Sequence, residues 1–218
     1  MILLEKYPNI IIKYFSSIPA APKKGMILSR LGYREGITTL SAGDKAQLEE
    51  GIKQGLGLCK PAGAYAKIPV SSRTESAITL SNGIQLQSRS LAKLLLNSNN
   101  VVLMASTVGK EVTEVISNEV KKGDAAFGLI LDSVASQTAD AALDWMVQLL
   151  DRMLDREGRK LTRHRYSPGF GDLPLSCQRD IFGALQLDRL NMALTEKFML
   201  IPEKSVIAIA GVEGRENR

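Results

Sequence analysis

Apolar residues return every three or four positions over residues 133–156, where Ala139, Leu143, Met146, Leu150 and Leu154 form one stripe. That period predicts the longest helix of the chain, with the stripe turned to the core. Leu48, Ile52 and Leu56 repeat every four residues and predict a second helix, capped by Ser41 and running through residue 58. Elsewhere the period falls to two. Ile78 and Leu80, then Ile84 and Leu86, alternate with polar residues on either side of Ser81-Asn82-Gly83. This predicts a β-hairpin closed by a type I′ Asn-Gly turn. The unbroken run Val101-Val102-Leu103-Met104-Ala105 predicts a central strand covered on both faces. Residues 65–70, 192–195, 198–201 and 205–210 read as further short strands, and residues 10–15 as an early extended piece or short helix. Shorter helices are expected at 23–31, ended by Gly32, at 88–96, at 110–121, and from a Ser176 cap through 187. Residues 124–131 lead into the long helix, the charged run 151–160 is its solvated end, and 213–218 form a frayed polar tail. Helices and strands follow in irregular order instead of strict alternation, which predicts an α+β fold.

Composition narrows the chemistry. The 218 residues are 44% hydrophobic and 23% charged, enough for one well-buried domain. A net charge of +5 permits nucleic acid as a ligand, but the basic residues are interleaved with acids and aromatics are only 5%, so no nucleic-acid footprint is expected. Cys59 and Cys177 stand alone and are expected to be reduced thiols. His164 is the single histidine, so no paired-histidine metal site is available, and no Gly-x-Ser-x-Gly elbow occurs to supply a hydrolase nucleophile. The start, residues 1–6, lacks a basic leader, and no apolar run has membrane length. A soluble, cytoplasmic protein with no membrane partner is expected.

Three places carry candidate chemistry. In Arg165-Tyr166-Ser167-Pro168-Gly169-Phe170-Gly171-Asp172-Leu173-Pro174, two prolines and two glycines fall within seven residues. Such turn chemistry predicts a stiff loop with accessible backbone, and Arg165 at its entrance offers a planar fork of donors. Asp140 lies at the border of the long helix's apolar stripe, with Asp144 turned further outward. A carboxylate there is either a solvated flank or a partner for a polar group in a cleft. Ser106-Thr107-Val108-Gly109 joins a strand to a helix, either as ordinary capping or as an anion pocket.

From residue 162 to 210 the order of motifs resembles the activation domain of cobalamin-dependent methionine synthase in a stand-alone form. The motifs are Arg165, then Pro168-Gly169-Phe170, a helix over 177–187, Leu194-Thr195-Glu196 and Ser205-Val206. A weaker similarity reaches back to about residue 28. The resemblance implies a single domain over 1–218, with a central twisted, mostly antiparallel sheet flanked by helices and residues 1–27 as an N-terminal extension. It implies S-adenosylmethionine as ligand, with Arg165, Ser167 and Gly169 on its methionine portion, Asp140 as the acid of the long helix, and Phe170 as the motif's aromatic. It also implies a role in reductive methylation of cob(II)alamin, with an electron from a flavodoxin-like reductant. The family's final-strand aromatic falls near Ala210, and its N-terminal acid has no counterpart. No Asp-x-His-x-x-Gly cobalamin motif and no cysteine-rich zinc site is present. Cobalamin would therefore be met only in trans, on a corrinoid protein or a separate methionine synthase.

Overall fold

The computed structural model describes residues 10–214, and its sheet is organised around two long strands. These are β5 (Ser98–Thr107) and β9 (Ser205–Gly214), paired antiparallel over most of their length. On the other side of β5 runs β2 (Ala62–Arg73), which also pairs with β1 (Ile12–Phe15). The hairpin β3 (Ala77–Leu80) and β4 (Gln85–Gln87) extends one end of the sheet, and β6 (Arg159–Leu161) closes the other. Every pairing in this sheet is antiparallel. Around it lie α1 (Lys24–Arg30), α2 (Ala42–Leu58), α3 (Arg89–Leu94), α4 (Glu111–Lys122), α5 (Ala125–Asp155) and α6 (Gln178–Leu185), and a small ribbon pairs β7 (Ala193–Leu194) with β8 (Leu200–Ile201).

The alternation of side chains along β5 and β9 divides the core in two. Val102, Met104, Ala208, Ala210 and Val212 face α5 and meet its stripe of Leu143, Met146, Leu150 and Leu154. Val101, Leu103, Ala105, Ile207 and Ile209 face the opposite way, toward α6 and the β3–β4 hairpin. The five residues 101–105 are all fully buried, so the continuous apolar run does mark a strand with two covered faces. The α+β expectation holds.

Helix α2 begins at a complete capping box, in which the Ser41 hydroxyl accepts from the Asp44 amide and the Asp44 carboxylate accepts from the Ser41 amide. It meets α5 through glycines. A Cβ on Gly51 would stand 2.7 Å from Ile130 Cγ2, and one on Gly55 2.9 Å from Val134 Cγ1. The helical period correctly located the helix, but Leu56 is exposed and the tight contact belongs to Gly51 and Gly55.

Several boundaries differ from the sequence reading. In the hairpin Gly83 has φ +86°, while Asn82 is not in the left-handed region, so the turn is not type I′. The Leu80 carbonyl accepts from the Gly83 amide and the Leu80 amide donates to the Ile84 carbonyl, the pattern of a three-residue loop with a bulge at glycine. Helix α5 starts at Ala125, eight residues before 133, because the Asp124 carboxylate accepts from the Phe127 amide and Gly128 lets α4 approach at Val120. Ser176 does not cap α6. It lies in a 3-10 turn (Leu175–Cys177), and the helix stops before Gln186, whose φ is +46°. Strand β6 begins within the run read as a solvated end, at Arg159 and Lys160, and its Leu161 amide donates to the Asp151 carboxylate of α5 (3.0 Å). Strand β9 continues through Glu213 and Gly214, so those residues are not frayed. The leaderless start at residues 1–6 and the tail at 215–218 lie outside the described residues.

Candidate ligand cleft around Arg165

Arg165 is set in place by an arch in the edge strand. The Thr162 amide donates to the Gly211 carbonyl (2.9 Å), and the Gly211 amide donates to the Thr162 hydroxyl (3.0 Å). Tyr166 and Ile209 then exchange both backbone hydrogen bonds, at 2.8 and 2.7 Å. Three residues, 163–165, thus span the stretch that Ala210 alone spans on β9, and they bow away from the strand edge. Arg165 leaves this arch toward α5, where its guanidinium donates to Asp144 Oδ1 at 2.6 Å. Asp140 lies one helical turn before Asp144 on the same helix face. Burial pushes the Asp140 carboxyl above its ordinary pKa of 3.8, Arg165 pulls it back, Asp144 raises it and Arg30 lowers it.

A cleft of ≈ 290 Å³ opens here, lined by Asp140, Leu143, Arg165, Tyr166, Ser167, Phe170 and Val206. Four of the five residues expected from sequence, Asp140, Arg165, Ser167 and Phe170, share this wall. Gly169 does not line it. Its φ is +88° and its amide donates to the Leu173 carbonyl (2.9 Å), so it makes the turn while its N–H faces into the loop. The Phe170 amide likewise donates to the Ser167 carbonyl (3.2 Å). Phe170 itself is 69% exposed at the cleft mouth. A second groove of ≈ 590 Å³ shares Asp140 and Arg165 with this cleft and opens between α5 and residues 19–26, with Gln137, Asp144, Trp145 and Gln148 on its wall. The cleft therefore offers a cation, a half-buried carboxyl and apolar flanks within one concave surface.

Sequence reasoning missed Leu143, Tyr166 and Val206 as wall residues, and it gave Asp144 no partner. The four-residue spacing of Asp140 and Asp144 on one helix was the available signal. Ala210 is fully buried against α5 and borders the arch beside Thr162, Arg163, His164 and Arg165. No aromatic ring occupies that position.

The turn at residues 106–109 is internally occupied. The Thr107 hydroxyl accepts from the Gly109 amide (3.2 Å) and from the Ser205 hydroxyl (2.8 Å). The Glu111 carboxylate, bound by Lys60 at 2.8 Å and by its own amide, stands at the start of α4 and is held below the usual carboxylate range. A helix N-terminus already facing its own carboxylate is a poor phosphate site. The Cys59 thiol is pushed up to about 11 by burial, which makes it a packing residue and not a nucleophile. Among the described residues, no helix is long and apolar enough to cross a membrane.

No protein-family model matches the chain. No curated protein matches it either. Among solved structures, the crystal structure of the MetH reactivation domain bound to AdoHcy superposes with a TM-score of 0.66 at 12% sequence identity. The match covers 97% of this chain and 81% of that one. That coverage reaches well beyond residues 162–210, the segment that carries the sequence motifs. This chain has the fold of the MetH reactivation domain.

Proposed function

We propose that this protein binds S-adenosylmethionine in the Arg165 cleft. The observation that carries the reading is the convergence of Arg165 and Asp140 on one cleft, in a fold whose MetH counterpart binds AdoHcy. The ligand has a carboxylate, an ammonium and a sulfonium. Arg165 suits the carboxylate through charge-assisted hydrogen bonds, and Asp140 in its ionised form suits the ammonium. Ser167 adds a hydroxyl, while Leu143, Val206 and Phe170 flank the less polar parts. When bound, S-adenosylmethionine supplies an electrophilic methyl group. The protein's own task is to orient it and to keep the open side of the cleft accessible.

The acceptor in this reading is cob(II)alamin on a separate corrinoid protein or cobalamin-dependent methionine synthase, with a flavodoxin-like reductant supplying the electron. The protein would thus act as a reactivation module in trans. A thermal-shift titration tests ligand binding. A ligand at 100 times its Kd stabilises the folded state by about 2.7 kcal/mol and raises Tm accordingly, whereas an unchanged Tm at millimolar S-adenosylmethionine contradicts the reading.

A second reading, a non-catalytic interaction protein that docks on a corrinoid protein and has lost its ligand, is favoured by two observations. Arg165 is already paired with Asp144, and Ala210 supplies no ring. Co-purification with a purified corrinoid partner, with no thermal shift by S-adenosylmethionine, selects it.

A further inference from the structure

The loop over residues 165–174 is anchored at two separate places. Its first anchor is the backbone pair between Tyr166 and Ile209. Its second is the carboxylate of Asp172, which reaches the start of α3. Asp172 Oδ1 accepts from the Ser88 hydroxyl at 2.6 Å, and Oδ2 accepts from the Arg89 and Ser90 amides at 2.7 and 3.2 Å. These partners are 82–84 residues away in sequence, so the contact fixes the loop against the body of the molecule. Ser88 is held in turn, because its hydroxyl also accepts from the Leu91 amide (2.9 Å). The donors hold the Asp172 carboxyl well below the usual carboxylate range.

Asp172 also governs a wall of the cleft. The Tyr166 hydroxyl lies 3.4 Å from Asp172 Oδ1 and rests over Gly171, whose missing Cβ leaves it room. Gly171 has φ +54°, a backbone region that favours glycine. The Gly169–Leu173 hydrogen bond then closes the turn between the anchors. Moving Asp172 off α3 therefore frees the Tyr166 side chain and loosens the chain after it, Ser167 to Phe170, while the Tyr166 backbone stays paired with Ile209.

We propose that Asp172 is a positioning residue for the cleft: its carboxylate, seated on the Ser88–Ser90 turn, holds residues 166–170 where they meet the ligand. The proposal rests on the reading of the cleft as an S-adenosylmethionine site, and its test separates the two. Asp172→Asn keeps the shape of the side chain and removes its charge. Deuterium exchange at the Gly169 and Leu173 amides reports loop order, with β5 amides as internal reference. Calorimetry with S-adenosylmethionine reports Kd. The expected result is roughly tenfold faster exchange in the loop with β5 unchanged, and a Kd raised roughly tenfold. Asp172→Glu, which keeps the charge, recovers part of both. Loop amides as protected as in wild type, or freed amides with an unchanged Kd, overturn the proposal. Should Asp172→Asn fail to fold, Asp172→Glu decides by the same two readings, with intermediate values of both expected and wild-type values of either overturning it. A wild type that binds no S-adenosylmethionine defeats the cleft reading instead, and the exchange measurement then decides alone whether Asp172 holds the loop.

Discussion

The β5–β9 strand pair and the loop over residues 165–174 touch one another at Tyr166 and Ile209, yet different forces hold them. Residues 101–105 are fully buried on both faces, so their placement follows from the apolar area they remove from water. The loop buries Pro168 and Leu173 but leaves Phe170 in solvent. Its shape rests on a few hydrogen bonds to β9 and to the start of α3. Stability thus resides in the strands, and the loop can carry specific polar groups at little cost to the fold.

The largest effect that sharpens this contrast is on stability. Leu103→Ala removes a fully buried side chain of β5 and is expected to cost about 2–5 kcal/mol in denaturant unfolding. Phe170→Ala, in the exposed mouth, is expected to change the midpoint by less than about 0.5 kcal/mol. Comparable losses for the two would break the division between core and loop.

The next effect belongs to Asp140. Its folded pKa is raised above 3.8, so between that value and the raised one the unfolded state is the more deprotonated. Stability from this group is therefore greatest below the window and falls as pH rises through it. Ligand affinity runs the other way, because an ammonium needs the ionised carboxylate. S-adenosylmethionine binding is expected to weaken as pH drops through the raised pKa of Asp140. Asp140→Asn is expected to cost roughly 1.5–3 kcal/mol of affinity at neutral pH and to flatten that pH dependence. A pH profile identical in wild type and variant removes Asp140 from the site.

The smallest effect concerns Asp144, whose side chain is 61% exposed where it pairs with Arg165. Exposed pairs of this kind contribute about 0–1 kcal/mol. Asp144→Asn is expected to lower Tm by no more than about 4 °C and to tighten ligand binding by up to about fivefold, because the guanidinium no longer has a competing carboxylate. Weaker binding in this variant would instead assign Asp144 to orienting Arg165.

Legibility in the sequence divides along the same line. The stripe from Ala139 to Leu154 and the run 101–105 were readable because their period or continuity is set by burial within each element. Strand β6 was not, since Arg159 and Lys160 carry no alternation and their pairing depends on β9, about fifty residues later in the chain. The start of α5 was hidden by Gly128, which serves the packing of α4. At the site, motif order drew attention to Arg165, Ser167 and Phe170. The contacts that shape the cleft, from Asp144 to Arg165 and from Asp172 to Ser88, join residues distant in sequence whose meeting no local pattern encodes.

The central claim, that Arg165 makes this cleft a site for a carboxylate-bearing ligand, is tested most directly by calorimetric titration of S-adenosylmethionine into wild type and Arg165→Ala at the same pH. Saturable binding by wild type, weakened by roughly 1.5–3 kcal/mol in the variant without loss of fold, is the predicted result. Equal affinity in the two proteins, or no heat from wild type at millimolar ligand, would contradict it.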